Sequence, residues 1–100
     1  MFSRANRPYT EKQVEKSLTA LSGWQANKKY TEISKIFLFP NFIAALAFLA
    51  KVTVHAEVLD HHPEVQLSYG KLKVTLKTDS SKGLTKKDFE LASRIDNLSR

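Results

Sequence analysis

Cysteine is absent from this 100-residue chain. Its absence excludes a disulfide framework and thiolate metal sites, and it is compatible with a reducing compartment such as the cytoplasm. The sequence also contains no internal repeat, low-complexity segment or linker. Because its length matches that of one domain, we expect residues 1–100 to fold as a single domain with a core of modest size.

A long uninterrupted apolar run is missing as well. Residues 1–20 are polar and lack the apolar central run of a signal peptide. The most apolar stretch, residues 36–50, is interrupted by Pro40 and Asn41 and is shorter than the roughly 20 residues that a membrane span needs. The sequence therefore predicts a cytoplasmic protein with no membrane segment.

Acidic residues are the scarcer charged type. The chain has 10 Asp and Glu residues against 16 Lys and Arg residues, which gives a net charge of +6. A basic protein can bind nucleic acid, but here the lysines are spread along the chain and no paired aromatic stacking motif accompanies them. The sequence therefore does not predict a nucleic-acid partner.

The spacing of apolar residues predicts three helices. The first begins after a capping box at Thr10 and Gln13, and its apolar positions are Val14, Leu18 and Leu21. The second covers residues 41–56 and is apolar on nearly every side. The third follows the capping-box spacing of Thr85 and Asp88. The all-round apolarity of the second helix leaves surface for another subunit, so we expect a homodimer or homotetramer.

Two hairpins are predicted between these helices. Residues 24–39 contain a short strand and a longer one, with a turn at 27–29. Apolar and polar residues alternate over 65–78, which predicts a second hairpin with one face open to water and Tyr69 as a packing residue. The resulting order, α-β-β-α-β-β-α, is typical of an α+β fold: a four-stranded antiparallel sheet with three helices packed on one face.

His61 and His62 lie between the central helix and the third strand. They can be turn residues, metal ligands or a proton-transfer pair. A zinc site is disfavoured, because neighbouring side chains of an extended segment point to opposite sides and the H-x5-H-H spacing from His55 matches no strong zinc pattern. His55 itself is predicted to close the central helix, where an imidazolium suits the helix dipole. From composition alone the turn interpretation is favoured for the pair.

A longer pattern changes that balance. The pattern begins with Glu57, continues after three residues with His61-His62-Pro63, and reaches Tyr69 after five more. It is followed by Gly83-Leu84-Thr85 and, after two residues, by Asp88. This pattern, and the predicted element order of the whole chain, resemble the pterin-4a-carbinolamine dehydratase family, also known as the dimerisation cofactor of a homeodomain transcription factor. The resemblance implies an enzyme that eliminates water from a 4a-hydroxytetrahydropterin, the product of aromatic amino-acid hydroxylases, to give quinonoid dihydropterin.

The implied reaction explains why two histidines are useful. The hydroxyl group at C4a must gain a proton to leave, while a ring nitrogen loses one. Histidine, with an unperturbed pKa near ~6.5, both gives and takes protons close to neutrality. The family uses neither a metal nor an organic cofactor, so the resemblance implies a lyase of tetrahydrobiopterin recycling that acts by acid/base catalysis alone.

The resemblance also implies which residues form the site. The catalytic residues are His61, His62 and Asp88. Substrate-binding residues include both histidines and Glu57, Asp60, Lys77, Thr78, Asp79 and Ser80. Within this set, Glu57 would orient a histidine, and Thr78 at the end of the fourth strand would line the pocket through backbone groups. Glu57 is equally well interpreted as a solvated helix-end acid, and Asp88 fits a capping box without any catalytic role.

One position departs from the family pattern. Family members commonly have a third histidine directly after the strand-ending threonine, where this chain has Asp79. A carboxylate there would favour the protonated form of a nearby imidazole, so less of that histidine would be in the neutral form that accepts a proton. The alternative function is therefore a non-enzymatic oligomerisation or regulatory partner on the same fold. A third possibility is a protein that binds a different pterin.

Overall fold

The computed structural model describes residues 7–99, which form three α-helices and four β-strands. In chain order the elements are α1 (Glu11–Leu18), β1 (Gln25–Ala26), β2 (Ile33–Leu38), α2 (Phe42–Leu59), β3 (Glu64–Ser68), β4 (Lys71–Leu76) and α3 (Lys86–Leu98). The strands form one antiparallel sheet in the order β1-β2-β4-β3. The predicted α+β class and its α-β-β-α-β-β-α order are confirmed.

Local sequence signals explain the ends of α1 and the first hairpin. The capping box of Thr10 and Gln13 is present, and Val14 is fully buried. Leu21, predicted to continue α1, lies beyond the end of the helix but still packs against the core. In the hairpin, Asn27 Oδ1 accepts hydrogen bonds from the backbone N–H groups of Thr31 and Glu32. The turn is therefore wider than the predicted three residues.

The sheet separates an apolar face from a polar one. Alternate β4 residues Leu72, Val74 and Leu76 are fully buried beneath the helices. Lys71 and Lys73 point to the opposite face, as period-two alternation requires. The predicted hairpin with one wet face is thus confirmed, but Tyr69 lies in its turn with 76% of its surface exposed. The prediction that Tyr69 packs within the hairpin is wrong, because a turn residue has no facing strand partner.

The central helix is longer than predicted. α2 continues to Leu59, so His55 lies inside the helix and the prediction that it closes the helix is wrong. His55 Nδ1 instead lies 3.4 Å from Arg94 Nη1 of α3. The reason is the stop signal: Asp60, a residue with a side chain, adopts the left-handed conformation (φ 51°, ψ 45°) that more often belongs to glycine at a helix end.

Only one side of α2 packs against the rest of the molecule. Its buried residues are Ala45, Phe48, Val52 and Ala56, whereas large apolar side chains on the other sides are exposed: Phe42, Ile43, Leu46, Val54 and Val58. By length and composition this helix could cross a membrane, which is weak evidence because core helices of globular proteins have the same properties. The all-round apolarity predicted for the helix is confirmed.

Candidate active site

The double histidine follows a sharp turn at the end of α2. The N–H of Asp60 donates to Glu57 O (3.2 Å) and the N–H of His61 donates to Ala56 O (3.0 Å), the bond pattern of a Schellman motif. This turn sends the two imidazoles into different surroundings. The His61 side chain is 10% exposed, while that of His62 is 56% exposed.

His61 is paired with a buried carboxylate. Its Nε2 lies 2.5 Å from Asp88 Oδ1, and the Asp88 side chain is fully buried. Asp88 comes from the first turn of α3, so the contact joins the end of one helix to the start of another. His61 is therefore buried together with the carboxylate that it contacts.

Asp88 is held by two further groups. Its Oδ2 accepts a hydrogen bond from Thr78 Oγ1 (2.6 Å) and one from the backbone N–H of Thr85 (3.0 Å). The second bond is half of the predicted capping box of α3, which is confirmed. Both carboxylate oxygens are therefore occupied, and the same side chain caps α3 and holds His61.

His62 makes a similar pair at the surface. Its Nε2 hydrogen-bonds Glu57 Oε2, and the Glu57 side chain is 68% exposed. Glu57 lies in the last turn of α2, five residues before His62. The interpretation of Glu57 as an acid that orients a histidine matches this contact, although the residue is also solvated as the alternative required.

In both pairs the other ring nitrogen, Nδ1, has no hydrogen-bond partner among residues 7–99. A carboxylate oxygen accepts hydrogen bonds, so Nε2 donates to it in His61 and in His62. In the neutral imidazole the other nitrogen, Nδ1, then has an unshared electron pair. Consecutive residues thus offer two oriented Nδ1 atoms, each backed by a carboxylate, which is an arrangement suited to proton transfer.

A surface ion pair lies beside the histidine segment. Lys77 Nζ is 3.2 Å from Glu64 Oε1 and 4.0 Å from Asp79 Oδ1. The hydrogen bond to Glu64, followed by the charges of Glu64 and Asp79, raises the pKa of Lys77 above its ordinary value. Asp79 points largely to solvent, with 87% of its side chain exposed. Lys77 therefore remains a cation at neutral pH.

The remaining predicted site residues differ in position. Asp60 and Ser80 are exposed, the first at the turn after α2 and the second in a short 3-10 turn, Asp79–Ser81. Thr78 lies two residues beyond the end of β4 and is buried. Its hydroxyl group donates to Asp88 Oδ2, and its carbonyl oxygen accepts from the N–H groups of Ser81 and Gly83.

Sequence reasoning missed Thr85 as part of this cluster. Its hydroxyl oxygen lies 2.9 Å from Thr78 Oγ1 and is fully buried. The capping-box spacing identified Thr85 only as a helix cap, and no local signal links it to Thr78. Within residues 7–99, no three His, Asp or Glu side chains lie together as possible metal ligands.

Fold and site together define a small α+β protein with a histidine pair backed by carboxylates. The chain belongs to the pterin 4 alpha carbinolamine dehydratase family, whose family model matches residues 7–98. The family resemblance of the sequence is thereby confirmed.

Relatives span nearly the whole chain. A protein of Rhizobium johnstonii is 45% identical over 83% of this chain and 82% of its own length, and one of Picosynechococcus is 39% identical over 89% and 95%. Each is called "Putative pterin-4-alpha-carbinolamine dehydratase".

Solved structures show the same fold. A transcriptional coactivator/pterin dehydratase from Brucella melitensis superposes with a TM-score of 0.89 at 35% identity, covering 94% of this chain and all of the other. A pterin dehydratase-like protein described as a RuBisCO assembly factor in the alpha-carboxysome has a TM-score of 0.67 at 23% identity, covering 78% and 90%. The second likeness concerns the fold alone. Proteins of this fold are thus described in more than one role.

Proposed function

We propose that this protein is a 4a-hydroxytetrahydrobiopterin dehydratase, a hydro-lyase of tetrahydrobiopterin recycling in the cytoplasm. The observation that carries the proposal is the pair of adjacent histidines. Each is bonded through Nε2 to a carboxylate, and in the described part of the chain Nδ1 of each has no partner. The substrate would come from an aromatic amino-acid hydroxylase. Family membership supports the substrate class, and the chemistry requires no metal or organic cofactor.

The proposed reaction uses the two imidazoles in opposite directions. Protonated His62 gives a proton to the C4a hydroxyl group, the C4a–O bond breaks, and water leaves. His61 Nδ1 takes the proton from the ring nitrogen, whose N–H electron pair forms the new C=N double bond. The buried Asp88 carboxylate supports His61 as the base, because a neighbouring negative charge stabilises the imidazolium that forms.

In this proposal exposed polar residues supply the pterin contacts. Asp60, Asp79 and Ser80 are exposed, so their polar atoms are accessible to a ligand. Lys77 adds a cation that Glu64 holds in place. We assign Glu57 to orienting His62, and Thr78 to the hydrogen bond that reaches Asp88 behind His61.

Turnover of a 4a-carbinolamine by the purified protein tests the proposal. We expect dehydration well above the uncatalysed rate, and activity that survives EDTA. The double variant His61→Ala/His62→Ala is the matched inactive control. Wild-type rates equal to those of the double variant would contradict the assignment, and loss of activity in EDTA with recovery on adding zinc would revive a metal site.

A second candidate function is a non-enzymatic oligomerisation or regulatory partner. It is favoured by Asp79 at the position of a family histidine and by the exposed apolar residues of α2, such as Ile43 (77% exposed) and Val58 (67%). Under either function we predict a homodimer or homotetramer, since contiguous apolar surface of this kind is usually covered. Light scattering that shows a monomer at micromolar concentration would contradict the prediction.

A further inference from the structure

The hydrogen bond between Thr78 and Asp88 belongs to a buried cluster that also contains Thr85. Thr78 is 6% exposed, while Thr85 and Asp88 are fully buried, so water has little access to the bonds among them. Hydrogen bonds to a charged group are stronger in such surroundings than at the surface. The three residues also come from two segments, one after β4 and one at the start of α3.

The hydroxyl groups of this cluster donate in sequence toward the Asp88 carboxylate. Thr78 Oγ1 donates its single proton to Asp88 Oδ2. The 2.9 Å contact between the two threonine hydroxyl groups must then use the proton of Thr85. The chain Thr85 to Thr78 to Asp88 is completed on the other side by His61, which donates from Nε2 to Oδ1. Thr78 is thus the only side-chain donor to Asp88 Oδ2 among residues 7–99.

We infer that Thr78 is a positioning residue that fixes the Asp88 carboxylate and, through it, the tautomer of His61 that leaves Nδ1 free. This inference rests on the proposed function for its catalytic consequence, but the tautomer is a property of the protein without substrate. Thr78 acts here through Asp88 and not by touching the pterin, which differs from a role as a lining residue of the pocket.

The physical argument concerns the freedom of the carboxylate. With Thr78 and Thr85 N–H both bound to Oδ2, rotation of the carboxylate breaks two hydrogen bonds and moves Oδ1 away from His61. Without the Thr78 hydroxyl, Oδ2 keeps the backbone bond at 3.0 Å, and the contact with His61 itself is the other bond that opposes rotation. His61 can then lose its Nε2 acceptor, and the alternative Nδ1–H tautomer, which has no lone pair on the working nitrogen, becomes populated.

The test compares Thr78→Val with Thr78→Ser. Valine keeps the volume and branching of threonine but has no hydroxyl group, whereas serine retains it. Thr75→Val is the matched control. It makes the same substitution within β4, at a residue on the sheet face opposite to that of Val74 and Leu76. The primary readout is imidazole ¹⁵N NMR of His61 in substrate-free protein, which reports which ring nitrogen is protonated.

We expect the Nε2–H tautomer of His61 in wild type, Thr78→Ser and Thr75→Val, and a mixture of tautomers in Thr78→Val. If the protein is active, Thr78→Val should lower kcat about tenfold with little change in KM, as for the loss of one hydrogen bond to a charged group. An unchanged His61 tautomer in Thr78→Val overturns the inference, even if kcat falls. Absence of turnover in wild type would count against the proposed function while the NMR comparison still decides this inference.

Discussion

The two histidine–carboxylate pairs have the same atoms in contact but opposite surroundings. In both, Nε2 bonds a carboxylate, yet the side chains of His61 and Asp88 are 10% and 0% exposed, against 56% and 68% for His62 and Glu57. Burial makes the first pair strong and costly to break, whereas water and salt weaken the second. One imidazole is therefore fixed in the structure, and the other can exchange protons with solvent.

The difference in burial suits different roles for the two histidines, the base for His61 and the acid for His62. A base whose tautomer is fixed is ready for each turnover, since no reorganisation is needed when the proton arrives. An acid has to be recharged after each turnover, and exposure to water makes that fast. The comparison predicts that variants in the buried pair change both stability and rate, and that variants in the exposed pair change the rate alone.

The largest effect is expected for His61→Ala. It should lower the dehydration rate about 10²- to 10⁴-fold, since it removes the proposed base. It should also reduce the free energy of unfolding by about 1–3 kcal/mol, because Asp88 Oδ1 is left buried without its partner. Kinetics and urea denaturation measure the two effects, and an unchanged unfolding free energy would contradict the view that the buried pair is structural as well as catalytic.

His62→Ala should separate activity from stability. We expect a loss of rate of about 10²-fold or more, because the proposed acid is removed. The unfolding free energy should remain within about 0.5 kcal/mol of wild type, as for most surface substitutions. The same two measurements apply. A loss of stability as large as that of His61→Ala would erase the difference between the two pairs.

The fold could be predicted because its signals are local. The capping boxes at Thr10 and Thr85 and the alternation in β4 are each contained in a few residues, and all three are present in the structure. The end of α2 was misplaced for a local reason too. Asp60 stops the helix in a left-handed conformation, which sequence rules assign mainly to glycine.

The site could be predicted only in part, because its contacts are not local. His61 and Asp88 are 27 residues apart, and Thr78 reaches Asp88 from a third segment. A resemblance of motifs indicates that such residues matter together, but it does not reveal which carboxylate meets which histidine. Nor does it indicate that one histidine is buried, since burial depends on how α2 and α3 pack.

A smaller effect is expected for Glu57→Gln. The amide keeps the size of the side chain and can still accept from His62 Nε2, but it removes the negative charge that faces the proposed acid. The rate should fall severalfold, and the fall should shrink at high salt because the wild-type pair is exposed and screened. Rates measured at low and high ionic strength check this prediction. A salt-independent loss would mean that the charge acts in a protected site.

The smallest effect is expected for Asp79→His, which restores the imidazole that the family commonly has at this position. Asp79 is 87% exposed and its contact with Lys77 is 4.0 Å long, so the substitution disturbs little of the structure. Lys77 keeps Glu64 as its partner at 3.2 Å. An added imidazole near the substrate supplies another group that titrates close to neutrality, so we expect a severalfold higher rate and a shifted pH optimum.

Asp79→Asn is the control that tells the two consequences of this change apart. It removes the carboxylate without adding an imidazole, so it tests whether the negative charge alone holds back the wild-type rate. If Asp79→His is faster and Asp79→Asn is not, the imidazole itself takes part in proton transfer. Equal increases in the two variants would instead assign the effect to the lost charge. If the pH–rate profiles of both variants are identical to that of wild type, position 79 lies outside the chemistry. The two histidine–carboxylate pairs would then be the only groups that transfer protons in the proposed reaction.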